Sequence, residues 1–241
     1  MAWSHSGTLD LSDERSMMGR PRNETLYERV SAEVFRQLLL NGIAKTSYAS
    51  IAQACETTRA VVQDYFARKD DMVDALSTHL NDCAMEATAP YCETFALDDQ
   101  LTPVAHLFLA GSAYFEFIQR TEGRKAFFLE LLRDRDLTEA LMRIVINRSF
   151  GEIEREDVIE DPAYRNNLIM SIGGFFELFY DYLKRGEYFE PTLYFGQMTR
   201  VWMRSAGFSS EQVAQVLEQC EVALEDKERM TNQLESVFNS R

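Results

Sequence analysis

Three short amphipathic segments follow one another between Arg22 and Lys69, and this stretch limits the possible folds more than any other. In the first segment, apolar residues recur with the spacing of one helix face. These residues are Val30, Val34, Phe35 and Leu38. Gly42 follows, and glycine commonly ends a helix because it adopts positive φ without a Cβ clash. The pattern predicts a first helix that ends near Gly42.

Two shorter helices are predicted after the first one. Thr46 or Ser47 can cap the second helix, which carries the apolar pair Ile51-Ala52. A break at Cys55–Thr57 precedes a third helix that begins at Thr58. The residues of the third helix that are expected to face inward are Val61, Val62 and Phe66. Two short helices joined by a tight turn and supported by a longer one form a helix-turn-helix unit, whose second short helix fits the DNA major groove.

The order of these residues resembles the DNA-binding head of the TetR family of bacterial repressors. In that family an apolar first helix is followed by a Gly, a Thr or Ser, an Ile-Ala pair, a Gly-x-Ser turn, an aromatic pair and a Lys. The matching residues here are Gly42, Ser47, Ile51, Ala52, Thr58, Tyr65, Phe66 and Lys69. The resemblance covers about a fifth of the chain, and beyond Lys69 only length and helical character agree.

The resemblance implies an all-α protein with two functional parts. Residues 21–69 are expected to form the helix-turn-helix head, and residues 70–241 a larger body for ligand binding and dimerisation. Residues 70–89 are expected to be a connector helix, and residues 1–20 a disordered arm. The implied activity is that of a repressor, a homodimer that leaves a palindromic DNA operator when a small apolar or aromatic molecule binds. No cofactor and no enzymatic activity are expected.

The outer side of the third helix is the predicted base-contacting surface. Four residues are expected there: Thr57, Thr58, Arg59 and Gln63. Arginine pairs bidentately with a guanine edge and glutamine with adenine. Phosphate contacts are expected from Thr46, Ser47, Tyr65 and Lys69, with backbone N–H groups at the helix start near Lys69. The structural alternative is that the threonines and Ser47 serve only as helix caps.

Three residues depart from the family pattern. Glu56 stands where the family usually has the turn glycine, and a residue with a side chain at positive φ costs about 1 kcal/mol. Gln63 replaces a tyrosine that usually contacts phosphate, and Asp64 puts a negative charge beside the DNA. These departures motivate a rival prediction, a helical dimer that senses ligands or binds proteins but has lost specific DNA binding.

Composition and charge agree with a helical protein that has one basic region. The 241 residues include only five Pro and eleven Gly, and no stretch alternates with period two, so about ten helices are expected. The net charge is −14, which argues against DNA binding by the whole surface. Residues 15–70, however, hold nine Lys or Arg and six acids, a net of +3. The acidic remainder of the chain is expected to repel DNA and so to orient the basic head toward it. The alternative is that the basic and acidic regions are simply solvated faces of unequal charge.

Local signals predict the helices of the body. A loop is expected at Pro90–Leu101, and Pro103, Pro162 and Pro191 are predicted near helix starts. Gly123, Gly186 and Gly207 are expected to separate or end helices. Capping boxes are expected at Asp136–Glu139 and Ser209–Gln212, and an N-cap at Asp161. The polar tail after Glu225 is expected to extend the last helix.

Two further sites are assigned to the body by resemblance. The ligand pocket is expected among aromatic and methionine side chains: Phe108, Tyr114, Phe115, Phe128, Met142, Met170, Phe175 and Phe179. Most such residues in any protein belong to the core, which is the alternative here. The dimer interface is expected on helices at Asp161–Gly186 and Pro191–Gly207, with Gly173, Gly174, Phe176 and Trp202. The alternative for the two glycines is a hinge or a close crossing within one chain.

Other classes of protein are disfavoured by the sequence. No segment has the roughly 20 apolar residues that cross a bilayer, and four cysteines without C-x-x-C pairing favour a reduced, cytoplasmic setting. His79 and Cys83 have the i, i+4 spacing of two metal ligands, but no third ligand completes a motif, so no metal site is expected. No catalytic spacing supports an enzyme, the weakest rival.

Overall fold

The computed structural model describes residues 24–151 and 162–240, and the predicted arm at 1–20 and the predicted cap Asp161 lie outside them. The prediction of an all-α fold is confirmed, because these residues form eleven helices and no strand. The helices are α1 (Glu24–Asn41), α2 (Tyr48–Ala54), α3 (Arg59–Tyr65), α4 (Lys69–Cys92), α5 (Thr102–Gln119), α6 (Glu122–Arg133), α7 (Arg135–Gly151), α8 (Pro162–Arg185), α9 (Pro191–Ser205), α10 (Ser210–Leu224) and α11 (Lys227–Ser240).

Helices α1 to α3 pack into a small unit at the N-terminal end of the described chain. Gly42 ends α1 with a φ of 81°, as the sequence predicts. Ser47 caps α2 by accepting from the Ser50 N–H, and Thr58 caps α3 by accepting from the Val61 N–H. The buried apolar residues of the unit are Val30, Val34, Leu38, Ile51, Ala52, Cys55, Val62 and Phe66. Local capping and a shared core therefore produce the helix-turn-helix arrangement.

The turn between α2 and α3 is a Schellman motif with a strained residue. The Thr57 N–H donates to the Ala52 carbonyl at 2.9 Å, and the Glu56 N–H to the Gln53 carbonyl at 3.3 Å. Glu56 has a φ of 49° and is the single described residue other than glycine at positive φ. Glu56 therefore adopts the left-handed conformation that favours glycine, and the turn keeps this geometry despite the side chain.

Replacing Glu56 by glycine is expected to raise the free energy of unfolding by about 0.5–1 kcal/mol. Glycine removes the Cβ strain of the left-handed conformation, and its greater freedom in the unfolded chain offsets part of that gain. Glu56→Gln is the control, because it removes the charge and keeps the Cβ. Urea unfolding measures both variants, and equal stability of the two would show that the turn carries no strain.

The helix α4 extends three residues further than the predicted connector. It begins at Lys69 and ends at Cys92, so it passes through Pro90, where the sequence predicts the start of a loop. Pro90 lies in the last turn of the helix, where its missing N–H affects only the final backbone hydrogen bonds. The Asp71 carboxylate accepts from the Arg68 N–H at 2.7 Å and fixes the start of the helix.

The later helix boundaries follow the sequence signals with three corrections. Gly186 and Gly207 end α8 and α9 at φ values of 69° and 84°, and the Ser209–Gln212 capping box starts α10. Gly123 lies inside the first turn of α6, however, and does not precede it. Asp134, rather than Asp136, caps α7 by accepting from the N–H groups of residues 136 and 137. The tail after Glu225 forms the separate helix α11.

The helix α5 forms the centre of the larger, C-terminal part. Most of its side chains are buried, and it packs against α4, α9, α10 and α11. Phe115 of α5 contacts the rings of Phe175 and Phe179 of α8 at centroid distances of 4.7 and 4.9 Å. An edge-to-face aromatic cluster therefore joins α5 to α8.

The first turn of α6 lies directly against the end of α1. A Cβ on Gly123 would stand 2.4 Å from the Leu39 carbonyl oxygen and 2.6 Å from that of Leu40. Farther along α6, the Glu130 carboxylate accepts from the Ala44 N–H at 2.8 Å. The α1–α2 unit is thereby held to α6 by a close backbone approach and by a hydrogen bond to the loop.

Candidate nucleic-acid interface and buried cavity

The helix α3 has one face in the core and one face in solvent. Val62 is fully buried and Phe66 nearly so, whereas Thr58, Arg59 and Gln63 are exposed. The Arg59 guanidinium lies 5.9 Å from the centre of the Tyr48 ring on α2. Thr57 is half-buried, although the sequence predicts that it is exposed together with these three residues.

Several contacts hold α3 in place without using its exposed side chains. The Arg29 guanidinium of α1 donates to the Cys55 carbonyl at 2.8 Å, across the turn before α3. The Tyr27 ring packs edge-on against Tyr65 with centroids 5.3 Å apart. The exposed polar side chains are therefore carried by a fixed backbone and remain available for a partner.

The four predicted phosphate contacts differ in their surroundings. Ser47 is exposed at the start of α2, Tyr65 is half-buried, and the Lys69 amine donates to the Ile43 carbonyl at 2.9 Å. Thr46 is 1% exposed, and its hydroxyl donates to the Gly42 carbonyl at 2.8 Å. The prediction of a Thr46 side-chain contact is therefore wrong, because that hydroxyl satisfies the carbonyl left open at the end of α1.

Three exposed residues beside this surface were not predicted from the sequence. Lys45 lies in the loop before α2, and Ala60 lies next to Arg59 on the exposed face of α3. The Arg68 side chain is 70% exposed and pairs with Asp71 at 3.4 Å. Ala60 could have been found from its helical spacing to Asp64, since residues four apart share a face.

A buried cavity lies between α4, α5, α7, α8 and α9. Its volume is about 80 Å³, and its lining is mainly apolar. The aromatic side chains in the lining are Tyr114, Phe115, Phe175, Phe176, Phe195 and Trp202. Gly111 allows Phe195 to form one wall, because a Cβ on Gly111 would stand 2.3 Å from that ring.

The predicted pocket residues divide into three groups. Tyr114, Phe115 and Phe175 line the cavity. Phe108, Phe128 and Phe179 are buried in the surrounding core and do not line it. Met142 lines a different, shallow pocket, and Met170 is 64% exposed, so both assignments are wrong. Met170 falls on the side of α8 opposite to Ile172 and Phe175, which face the cavity.

The aromatic pattern of the sequence does not reveal the polar residues of the cavity. Asn81 of α4 and Tyr114 of α5 both line the cavity, and each has one buried polar atom without a hydrogen-bond partner, namely the Asn81 Nδ2 and the Tyr114 hydroxyl. Burial raises the pKa of the Tyr114 phenol well above its ordinary value, so the hydroxyl keeps its proton at neutral pH. Asn81 follows Ser77 by four residues, a helical spacing that a search for polar pairs on α4 would have found.

The predicted interface residues also fall in different places. Phe176 and Trp202 are buried within one chain and line the cavity, so their assignment to a dimer surface is wrong. Gly173 and Gly174 have no atom within 4 Å of an added Cβ, which excludes a close crossing by another described segment. Exposed apolar residues of α8 and α9 are Ile169, Met170, Leu193 and Val201.

His79 and Cys83 face each other on α4, with Nε2 and Sγ 3.7 Å apart. Within residues 24–151 and 162–240, no group of three His, Cys, Asp or Glu side chains could hold a metal ion. None of the helices in these ranges is both long and apolar enough to cross a membrane.

Comparison with known proteins identifies the fold. The chain is similar to a tetR-family transcriptional regulator from Streptomyces coelicolor, whose crystal structure superposes with a TM-score of 0.51. The match covers 84% of this chain and 90% of that one, at 20% sequence identity. No model of a known protein family matches the sequence. No curated protein matches it. At this identity the likeness shows the shared helical fold.

Proposed function

We propose that the protein is a DNA-binding transcriptional regulator of the TetR type, a cytoplasmic homodimer that a small molecule releases from its operator. The observation that carries this proposal is the exposed face of α3, where Thr58, Arg59 and Gln63 project from a helix whose other face is packed. A short helix held in this way by a helix-turn-helix unit matches the dimensions of the DNA major groove.

The contacts with DNA are assigned by chemistry and position. Arg59 donates bidentately to a guanine, Gln63 pairs with an adenine, and the Ala60 methyl group meets a thymine methyl. Ser47 and Lys45 contact phosphates, together with the N-terminus of α4 at Lys69. Phosphate contacts set the position of the head, and the three side chains on α3 select the sequence.

Dimerisation is part of the proposal because one head makes too few contacts for specific binding. The outward sides of α8 and α9 support such an interface, since they combine exposed apolar residues with Gly173 and Gly174. The two glycines lack side chains and leave room for a partner helix to approach. Two copies joined there would hold their heads at a fixed distance.

Val201→Glu is expected to weaken dimerisation at least about tenfold, because a charge would be buried in the interface. Val222→Glu is the matched control, since Val201 and Val222 are 59% and 66% exposed but lie on α9 and α10. Sedimentation velocity over a concentration series measures the dissociation constant. A wild-type protein that stays monomeric at tens of micromolar, or equal effects of both variants, would contradict the assigned interface.

A route from the cavity to the head runs through α4. Ser77, Asn81 and Met85 of α4 line the cavity, and Lys69 at the start of the same helix bonds to the Ile43 carbonyl before α2. Ser77 and Lys69 are about 12 Å apart along the helix axis, at 1.5 Å per residue. We infer that a ligand favours a different tilt of α4, which changes the spacing of the two heads and releases DNA. The ligand can shift this equilibrium only if it binds the two tilt states of α4 with different affinity.

A second candidate function is a dimeric ligand-sensing or protein-interaction module without specific DNA binding. The exposure of Glu56 and Asp64 beside the α3 face favours it, because both acids repel phosphates. Titration of labelled random duplex DNA at several salt concentrations tests DNA binding itself. Affinity is expected to fall steeply with salt as counterions are released. Absence of binding at low salt would favour the second candidate.

A further inference from the structure

Two residues that line the body cavity carry hydrogen-bonding groups that the protein itself leaves unused. The Tyr114 hydroxyl belongs to a residue that is only 7% exposed and has no partner, and the Asn81 Nδ2 is likewise buried and unpaired. Both residues line the same cavity. A buried polar group without a partner costs about 1–3 kcal/mol, so a molecule that supplies the partner gains binding energy from each group.

The cavity offers no charged group to a ligand. None of the described residues that line it is Asp, Glu, Lys, Arg or His. The remaining polar side chains in the lining are small, and the Ser171 hydroxyl already donates to the Asn167 carbonyl at 2.8 Å. An ion moved from water into such a site would be desolvated without compensation, so the site favours uncharged molecules.

The walls favour a flat ring. The Phe175 and Phe195 rings are nearly perpendicular, at 84°, with centroids 5.2 Å apart. Phe115 meets Phe175 edge-on at 4.7 Å. These rings present both faces and edges to the cavity, and an aromatic ligand can pack against each of them.

The volume limits the size of the first ligand to test. A cavity of about 150 Å³ lined by apolar side chains binds benzene, and the 80 Å³ here is about half of that. Met85 and Met198 are flexible wall residues that can move aside for a single ring with a short substituent.

We propose that the cavity binds an uncharged, flat, mainly apolar molecule whose hydrogen-bond acceptors, such as ketone or ester oxygens, pair with the Asn81 amide and the Tyr114 hydroxyl. The proposal rests on the proposed function in one respect, since it treats this molecule as the effector. The chemical selectivity itself depends only on the lining of the cavity.

Three probes of equal size test this selectivity: acetophenone, α-methylstyrene and benzoate. The first carries a carbonyl oxygen, the second has a CH₂ group in its place, and the third has a carboxylate. Acetophenone is expected to bind at least about tenfold more tightly than α-methylstyrene, because only it satisfies the buried donors. Benzoate is expected to bind at least about tenfold more weakly than acetophenone. Quenching of Trp202 fluorescence measures binding, in a Trp3→Phe background that removes the other tryptophan.

Variants assign the preference to particular atoms. Tyr114→Phe and Asn81→Leu each remove one donor and are expected to reduce the preference for acetophenone over α-methylstyrene. Ser112→Ala is the matched control, because the Ser112 hydroxyl on α5 is also buried without a partner but Ser112 does not line the cavity, so this variant should leave the preference unchanged. Circular dichroism confirms that each variant is folded before it is compared.

Each outcome decides the proposal. Equal binding of acetophenone and α-methylstyrene, tighter binding of benzoate, or no binding of any probe would overturn it. A preference that Ser112→Ala abolishes and Tyr114→Phe leaves intact would also overturn it. Selective acetophenone binding that leaves DNA affinity unchanged would support the cavity chemistry and contradict only the regulatory role in the proposed function.

Discussion

Replacing Arg59 by alanine is expected to lower affinity for the protein's preferred duplex by about 10- to 100-fold. A bidentate arginine–guanine contact discriminates by about 1–3 kcal/mol, and the exposed guanidinium has little part in the core. Affinity for random DNA is expected to change much less, since phosphate contacts dominate it. Fluorescence anisotropy with matched specific and random duplexes measures both constants.

Arg36→Ala is the control for Arg59→Ala. Arg36 also lies in the head and is exposed, but it is on α1, where it pairs with Glu33 at 2.7 Å and faces the groove beside α4 and α6. Its removal is expected to change specific affinity less than about threefold, because Arg36 lies outside the predicted base-contacting surface and has no base to contact. Equal losses in the two variants would indicate a general charge effect and remove Arg59 from the base-contacting surface.

Gly123→Ala is expected to lower the free energy of unfolding by about 2 kcal/mol. The new Cβ would stand 2.4 Å from the Leu39 carbonyl oxygen, so α6 must move away from α1. Forced overpacking of this kind costs about 1–3 kcal/mol. In an open helix the same substitution would stabilise the protein by up to about 1 kcal/mol, so the sign of the change is informative. Urea unfolding gives that sign.

Glu122→Ala tests whether the effect of Gly123→Ala comes from the backbone contact. The Glu122 side chain is 90% exposed in the same helical turn, so its removal should change stability by less than about 0.5 kcal/mol. A stabilised Gly123→Ala variant would mean that α1 and α6 are not in close contact. In that case α6 could not help to fix the orientation of the head.

The unit formed by α1 to α3 could be predicted from the sequence because its signals are local. Ser47 and Thr58 cap the helices that they precede, and Gly42 and Glu56 mark turns that require positive φ. Each of these signals depends on a few neighbouring residues and the backbone geometry that they allow. The sequence does not distinguish Thr46 from the adjacent Ser47 as a phosphate contact, and only the structure shows that the Thr46 hydroxyl faces inward.

The cavity could be predicted only in part, because its residues come from five helices. Composition identifies an aromatic body but does not separate Phe115, which lines the cavity, from Phe128, which packs behind it at 5.7 Å. Asn81 has no distinctive sequence context, and its importance comes from lacking a partner in the folded chain. Packing between distant segments decides both points, and helical periodicity does not encode it.

The assigned dimer surface failed for a related reason. Phe176 and Trp202 are large apolar residues that could serve a core or an interface equally well. The structure buries both beside the cavity and leaves Met170 and Val201 outside. The apolar pattern of a single helix gives the width of its apolar stripe. Whether that stripe packs inside the chain or against a second copy depends on how α8 and α9 are rotated about their axes.

Selection of binding sites from a random duplex library, with the full-length protein, tests the central claim most directly. If α3 contacts bases in a dimer, the selected DNA will contain two inverted half-sites with centres about 10 base pairs apart or a multiple of that spacing. Arg59→Ala will then relax one base position in each half-site. A pool without an enriched motif, or a motif that is the same for both proteins, would contradict the claim that this face of α3 selects DNA sequence.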